Sequence, residues 1–281
     1  VRRTRSFIKD NYAERDPAND RYYLRLPDGS RFYFPDRLPR TIAIPMAEHA
    51  SDPYSRLYDT AVVDTINRLS LPRYGLANYL KRGAERLAEA TEKPLLGNLS
   101  RAGKRLMGFS RTNLFKRLES SGSVFLQSID RHILRNHVFL HALDNDLPLP
   151  LGTQGADVLS LDGDLDPDSD LAQQDFEDRI EDNGIGATPL ESRLSAPHTY
   201  SADWYAQRAK EIYADYRSSY QRRFNWLRPV LFGPDLKRDL QRDTTALLAI
   251  RQAHGTWNPA RDVKLEQLIT LLRSLPEQKV L

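Results

Sequence analysis

A chain of 281 residues can bury one large core or two modest ones. It has no cysteine, which excludes a disulfide framework and a thiolate metal site and leads us to expect a reducing, cytoplasmic setting. A net charge of +3 conceals a segregation: Asp157 to Asp182 is acidic with Arg179 its one cation, and the rest of the chain is basic, most of all between Arg101 and Arg135.

No signal peptide is visible, and no apolar run approaches the roughly 20 residues of a membrane span, so no membrane is expected among the partners. The opening residues lead into a short amphipathic segment ending near Tyr12. Arg21 to Leu26 alternates, meets Pro27-Asp28-Gly29-Ser30, and is followed by Arg31 to Phe34. Asp-Gly between two aromatic runs predicts a hairpin. Thr41 to Ile44, bounded by Pro39 and Pro45, reads as a third strand.

Asp52-Pro53 is an N-cap with proline in the first turn. Tyr54, Leu57, Tyr58, Ala61, Val62, Ile66 and Leu69 then predict one helix ending near Pro72. A further helix is predicted from about Leu76 to Thr91, with Pro94 and Gly97 beyond it, and then a shorter basic piece from Leu99 to Phe109. Arg111 to Leu143 follows as a central helical run. Leu114, Phe115, Leu118, Phe125, Ile129, Ile133, Leu140 and Leu143 mark its buried side, and Ser120 to Ser123 marks a point of close contact or a break.

From Pro148 to Pro197 the periodicity fails, which predicts a flexible acidic insertion with a brief helix around Leu171 to Ile180. Tyr205, Ala209, Ile212, Tyr213, Tyr216, Tyr220 and Phe224 then keep one side of a long helix, as a core rim more readily than as a base-stacking platform. Leu236, Leu240, Leu247 and Leu248 mark the next helix. Asn258-Pro259 reads as the cap of the last, with Val263, Leu268, Ile269 and Leu272 facing inward. The expected fold is mainly α, a bundle-like helical domain with a small hairpin and short-strand element near the N-terminus. The expected divisions are 1–50 with the hairpin, 51–147 with the basic central helix, the acidic insertion 148–200, a helical region 201–275, and 276–281 opening an apolar strand. Both ends read as cut, so the chain is expected to be a piece of a larger protein.

No phosphate-cradling Gly-x-x-x-x-Gly-Lys-Ser/Thr, no Gly-x-Gly-x-x-Gly and no His-Glu-x-x-His occurs. His137 and His141 lie four apart, the spacing of metal ligands on one helix face, but no third ligand is specified nearby and ordinary histidines are the favoured reading. Asp162-x-Asp164-x-Asp166 has Pro167 where a calcium loop needs Gly, which rejects an EF-hand. The sequence advertises no self-contained active site and no metal or cofactor site.

Three stretches resemble the middle of a bacterial Swi/Snf-like superfamily-two helicase, a DNA-dependent ATPase with two RecA-like lobes. Val1 to Arg5, leading to Leu38-Pro39 and Asp52-Pro53-Tyr54, is similar to the segment that follows the first lobe. Leu114-Phe115-Lys116-Arg117-Leu118-Glu119-Ser120-Ser121, continuing to Phe125, is similar to a Leu-Lys-Arg-Leu-Glu-Ser-Ser run between the lobes. Asp262 to Leu265 with Leu275 to Leu281 resembles the approach to the second lobe. The resemblance implies a non-catalytic inter-lobe segment whose partners are the motor lobes and double-stranded DNA. ATP and magnesium would serve the parent enzyme, since the Walker lysine, the acidic magnesium motif and the arginine finger are not in this chain. On that reading Arg101, Lys104, Arg105, Arg111, Lys116, Arg117, Arg131 and Arg135 are the candidates for phosphate contact. The plainer alternative for each is a solvated helix face or an internal pair with Glu119 or Asp130. A competing function is a protein-interaction or autoinhibitory module built from the acidic insertion and the tyrosine-rich helix.

Overall fold

The computed structural model describes residues 5–34, 41–44, 52–151 and 200–275. The acidic run, the helix expected at Leu171 to Ile180 and the strand expected after residue 275 lie outside the described residues. The fold is mainly α with a small antiparallel sheet near the N-terminus, and the chain divides into two compact units, 1–44 and 45–281.

In the first unit, α1 (Arg5–Tyr12) precedes β1 (Glu14–Arg15), β2 (Tyr22–Arg25) and β3 (Arg31–Tyr33), paired antiparallel in that order. The predicted hairpin is β2–β3, in the register Tyr23↔Tyr33 and Leu24↔Phe32. Gly29 takes φ +83°, and the Asp28 carboxylate accepts from the Ser30 backbone N–H at 2.9 Å, as a tight turn requires. Thr41 to Ile44 forms no strand; the third strand is β1. Two residues are too few to show an alternation. What marks β1 is side-chain chemistry: Glu14 accepts from the Tyr23 hydroxyl at 2.5 Å and from Arg25 at 3.0 Å, and Asp16 beyond it from Tyr33 and Arg31.

The second unit is built around one helix. The run from Asp52 is two helices, α2 (Pro53–Leu57) and α3 (Thr60–Arg68), because Asp59 ends one and caps the next through the Ala61 N–H at 2.8 Å. A 3₁₀ turn, Pro72–Tyr74, comes first, and the helix expected over Leu76 to Thr91 is replaced by a second, Leu76–Tyr79, and a single helical turn, α4 (Ala84–Leu87). Left-handed Gly83, at φ +81°, breaks the continuity that periodicity alone suggests. Pro94 stops nothing: it sits in the first turn of α5 (Lys93–Ser120), which absorbs the basic piece expected to stand apart.

Of the two readings of Ser120 to Ser123, the break occurs, at Ser121 in extended conformation, and α6 (Gly122–Asp144) follows. α7 (Ala202–Ser218) and α8 (Pro234–His254) pack against α6. Phe125, Ile129, Ile133 and Val138 of α6 are wholly buried, as are Tyr205 and Tyr216 of α7 and Leu236 and Leu240 of α8. The helices before and after the acidic segment therefore share one core. A two-stranded ribbon that periodicity misses, β4 (Leu149–Leu151) with β5 (Asn225–Leu227), joins the two flanks of that segment, pairing Leu149 with Leu227. Asn258 caps only a 3₁₀ turn; Asp262 caps the last helix, α9 (Val263–Arg273). Of the expected inward face of α9, Leu268, Ile269 and Leu272 are exposed and Val263 is half-buried, and none of the helix's residues is buried. No described helix is long and apolar enough to cross a membrane.

Candidate functional site

The basic candidates do not form one surface. Arg131 and Arg135 are 5% and 4% exposed, because α6 is covered by neighbours on almost every side, so neither guanidinium is available to a phosphate outside the fold. Arg111 caps the end of α3, donating through Nε to the Ile66 carbonyl at 3.3 Å and through Nη2 to that of Leu69 at 2.8 Å. These three are corrected to structural positions. Lys116 is exposed and Arg117 half-buried on the last turns of α5. Arg101, Lys104 and Arg105 belong to the same helix, and their side chains lie outside the described residues. Helical register sets positions 101, 105, 112 and 116 on one side of α5, opposite buried Leu114 and Leu118.

Where α5 ends, a joint holds α9, and sequence reading did not find it. The Asp262 carboxylate caps the Leu265 N–H at 3.0 Å, accepts the Tyr54 hydroxyl at 2.9 Å and accepts the Trp257 indole N–H at 3.1 Å. Tyr54 meets Trp257 edge-on at 5.0 Å. Burial and its bond to Asp262 push the Tyr54 hydroxyl well above the ordinary phenol range, so it stays a donor. Lys264 donates to the Glu119 carbonyl at 2.6 Å and the Tyr58 hydroxyl at 3.1 Å, with its ammonium 4.5 Å from the Tyr54 ring centroid. A cation on the carboxyl end of α5 complements that helix's dipole. Beyond this anchored first turn, Leu265, Leu268, Ile269 and Leu272 stand 39%, 48%, 37% and 43% exposed, an apolar stripe at helical spacing.

Against families, curated proteins and solved structures, the chain matches none. The tyrosines of α7 are core, as expected: Tyr205, Tyr213 and Tyr216 are buried, and Tyr205 donates to Asp130 at 2.5 Å. That leaves little tyrosine surface for a partner. Among the described residues, no three His, Asp or Glu gather as a metal cluster.

Burial lowers the pKa of His137, and it does the same for His141 and His254, where charged neighbours add smaller effects. As pH falls through the ordinary imidazole value of about 6.5, the unfolded chain takes up protons that the folded chain refuses, so stability is lost on acidification. Asp130 and Asp243, raised mainly by burial, act in the opposite sense as the pH approaches the carboxylate range. A melting temperature that drops between pH 7 and pH 5.5, and drops less in His137→Gln, is the expected result of a thermal scan across that range. An identical drop in the variant would remove His137 from the account.

Proposed function

We propose that the chain is the non-catalytic inter-lobe segment of a Swi/Snf-like ATP-dependent DNA helicase or translocase, bracing the motor lobes and meeting duplex backbone through α5. The observation that carries this reading is α9. Its first turn is locked by Asp262 and Lys264 while its apolar stripe lies open to solvent. Apolar side chains held in a fixed pose and left uncovered suit a docking surface better than a core. It is also the stretch that resembles the approach to the second lobe, so a RecA-like lobe of the parent protein is its proposed partner. ATP and magnesium belong to those lobes in this reading, and this chain contributes no catalytic group.

The duplex contact falls to α5. Lys116 and Arg117, with Arg101, Lys104 and Arg105 on the same helix, would neutralise phosphates and set position without reading bases. Arg111 is engaged at the end of α3, and Arg131 and Arg135 are buried.

Titration of the chain with a labelled duplex across a salt series tests the proposal. Binding should weaken log-linearly with salt, and Lys116→Glu with Arg117→Glu should lower the slope by about 2, one unit for each phosphate contact removed. No binding at low salt, or an unchanged slope, would end the DNA-contact claim. Deleting residues 157–182 separates the competing autoinhibitory function, which requires affinity to rise when the acidic run is gone.

A further inference from the structure

The first unit carries an aromatic face that the bracing role leaves unused. Alternation along the hairpin sends Tyr22, Leu24 and Leu26 to one side of the sheet with Phe32 and Phe34, and Tyr23, Arg25, Arg31 and Tyr33 to the other. α1 covers one end of the first side. The Lys9 ammonium lies 4.1 Å from the Tyr22 ring centroid, and the Arg5 guanidinium 5.6 Å from that of Phe34. Beyond α1 the face is open: Phe32 is 50% exposed and Leu26 41%, with half-buried Leu24 directly across from Phe32. Phe34 meets Phe32 edge-on at 6.3 Å, which fixes one edge of the exposed ring.

This unit is short of core. Among its described residues Tyr23 is the one buried hydrophobic side chain. A small unit that leaves a phenyl ring in water forgoes burial it has little of, so the ring is better placed for a partner than for folding.

The charges on the two sides differ in kind. On the side of Tyr23 and Tyr33 the cations are matched by acids: Glu14 holds Arg25 and the Tyr23 hydroxyl, and Asp16 holds Arg31 and the Tyr33 hydroxyl. Asp20 pairs with Arg15, Asp28 is spent on the Ser30 turn, and Asp10 stands on the exposed side of α1. The face of Phe32 is therefore lined by rings and by Lys9 and Arg5, with no carboxylate from the described residues. A cation resting on a ring keeps N–H donors for a phosphate.

We propose that this face is a stacking platform for single-stranded DNA, with an unpaired base on Phe32 and phosphates of the same strand on Lys9 and Arg5. Rings give affinity for any base and cations track the backbone, which is how single strands are held without sequence preference. A duplex does not fit the role, because its bases are already paired and stacked. The face offers no carboxylate or amide to accept from a ribose 2′-hydroxyl, the group by which RNA is told from DNA. The platform goes beyond the bracing role, which rests on α5 and α9.

Anisotropy of labelled oligothymidylate, titrated with the full chain across a salt series, tests it. Phe32→Ala should weaken binding at least about fivefold, the loss expected when one stacked base is released. Phe32→Tyr should keep the affinity, and Phe32→Leu should lose it as alanine does, which separates stacking from plain apolar contact. Lys9→Gln should lower the salt slope by about 0.7, the single-strand value for one phosphate. Phe32→Ala should leave duplex binding unchanged, so the platform and the bracing role can fail separately. An exposed ring is not needed for folding, and circular dichroism of each variant should match the parent chain. No binding at low salt, full affinity in Phe32→Ala, or leucine serving as well as phenylalanine overturns the platform.

Discussion

Replacing Asp130 by Ala is expected to destabilise the protein by about 3–5 kcal/mol, the range for a buried ion pair that loses one partner. Asp130 sits at the middle of α6 and receives Arg251 Nε from α8 at 2.8 Å, and both side chains are under a tenth exposed. Burial lifts the Asp130 carboxyl above the usual range, while Arg251 and the Tyr205 hydroxyl oppose that rise. Two of the three packed helices thus meet α6 through one carboxylate. Its removal takes the carboxylate from a guanidinium that stays in the core, and the bond to the Gly255 carbonyl neutralises no charge. A loss of that size is a large part of the roughly 5–15 kcal/mol by which domains are stable. Urea unfolding followed by circular dichroism reads it directly. Asp130→Leu with Arg251→Met should recover most of the loss, because an apolar pair of similar volume needs no desolvation. A double variant no better than the single one would mean that packing of α6 on α8, and not the stranded charge, sets the cost.

The same pair shows why the fold was more legible than the site. Apolar spacing was enough to find α6, α7 and α8, because packing against a core imposes its period on the chain, whereas the small residues at Ser120 to Ser123 left close contact and break both open. It was not enough to say which charges stay in water. Arg131 and Arg135 read as the basic flank of an amphipathic helix, yet both are buried, as are Asp130, His132 and Asn136 beside them. The partners of Asp130 and Asn136 are distant in the chain: Arg251 and Tyr205 for Asp130, and Arg73 for Asn136 at 2.9 Å. A charge whose partner lies scores of residues away looks exposed to any local pattern. α9 errs in the other direction. Its stripe is as regular as that of a core helix, and periodicity has no means of saying whether the surface that covers it belongs to the same unit. The joint beneath it was out of reach for the same reason, since Tyr54, Gly122, Trp257 and Asp262 meet only in the fold. Asn258-Pro259 has the stronger local cap signal, although Asp262 is the residue that caps α9.

Gly122→Ala should cost about 1–3 kcal/mol and should loosen α9, although alanine is the better helix residue by about 1 kcal/mol. Gly122 opens α6 with no side chain because the Trp257 ring lies directly over it; a Cβ there would overlap the six-membered edge of the indole. Whether such a clash is relieved depends on what must move. At Gly75 the obstructing atom is the sulfur of Met107, a flexible thioether, and alanine should be tolerated. At Gly122 the obstruction is a rigid ring tied by its N–H to Asp262 and by its edge to Tyr54. The ring cannot step aside without drawing on the carboxylate that caps α9 and holds Tyr54. The Tyr54 hydroxyl also accepts the Gly122 N–H at 3.4 Å, so displacement at either residue reaches the other. Trp257 fluorescence should therefore shift toward that of exposed indole in Gly122→Ala, together with the fall in stability. Trp257→Leu removes the ring, and on that background Gly122→Ala should become neutral or stabilising. If the alanine remained equally costly without the indole, the glycine would be serving the backbone at the start of α6, and the pose of α9 would not depend on it.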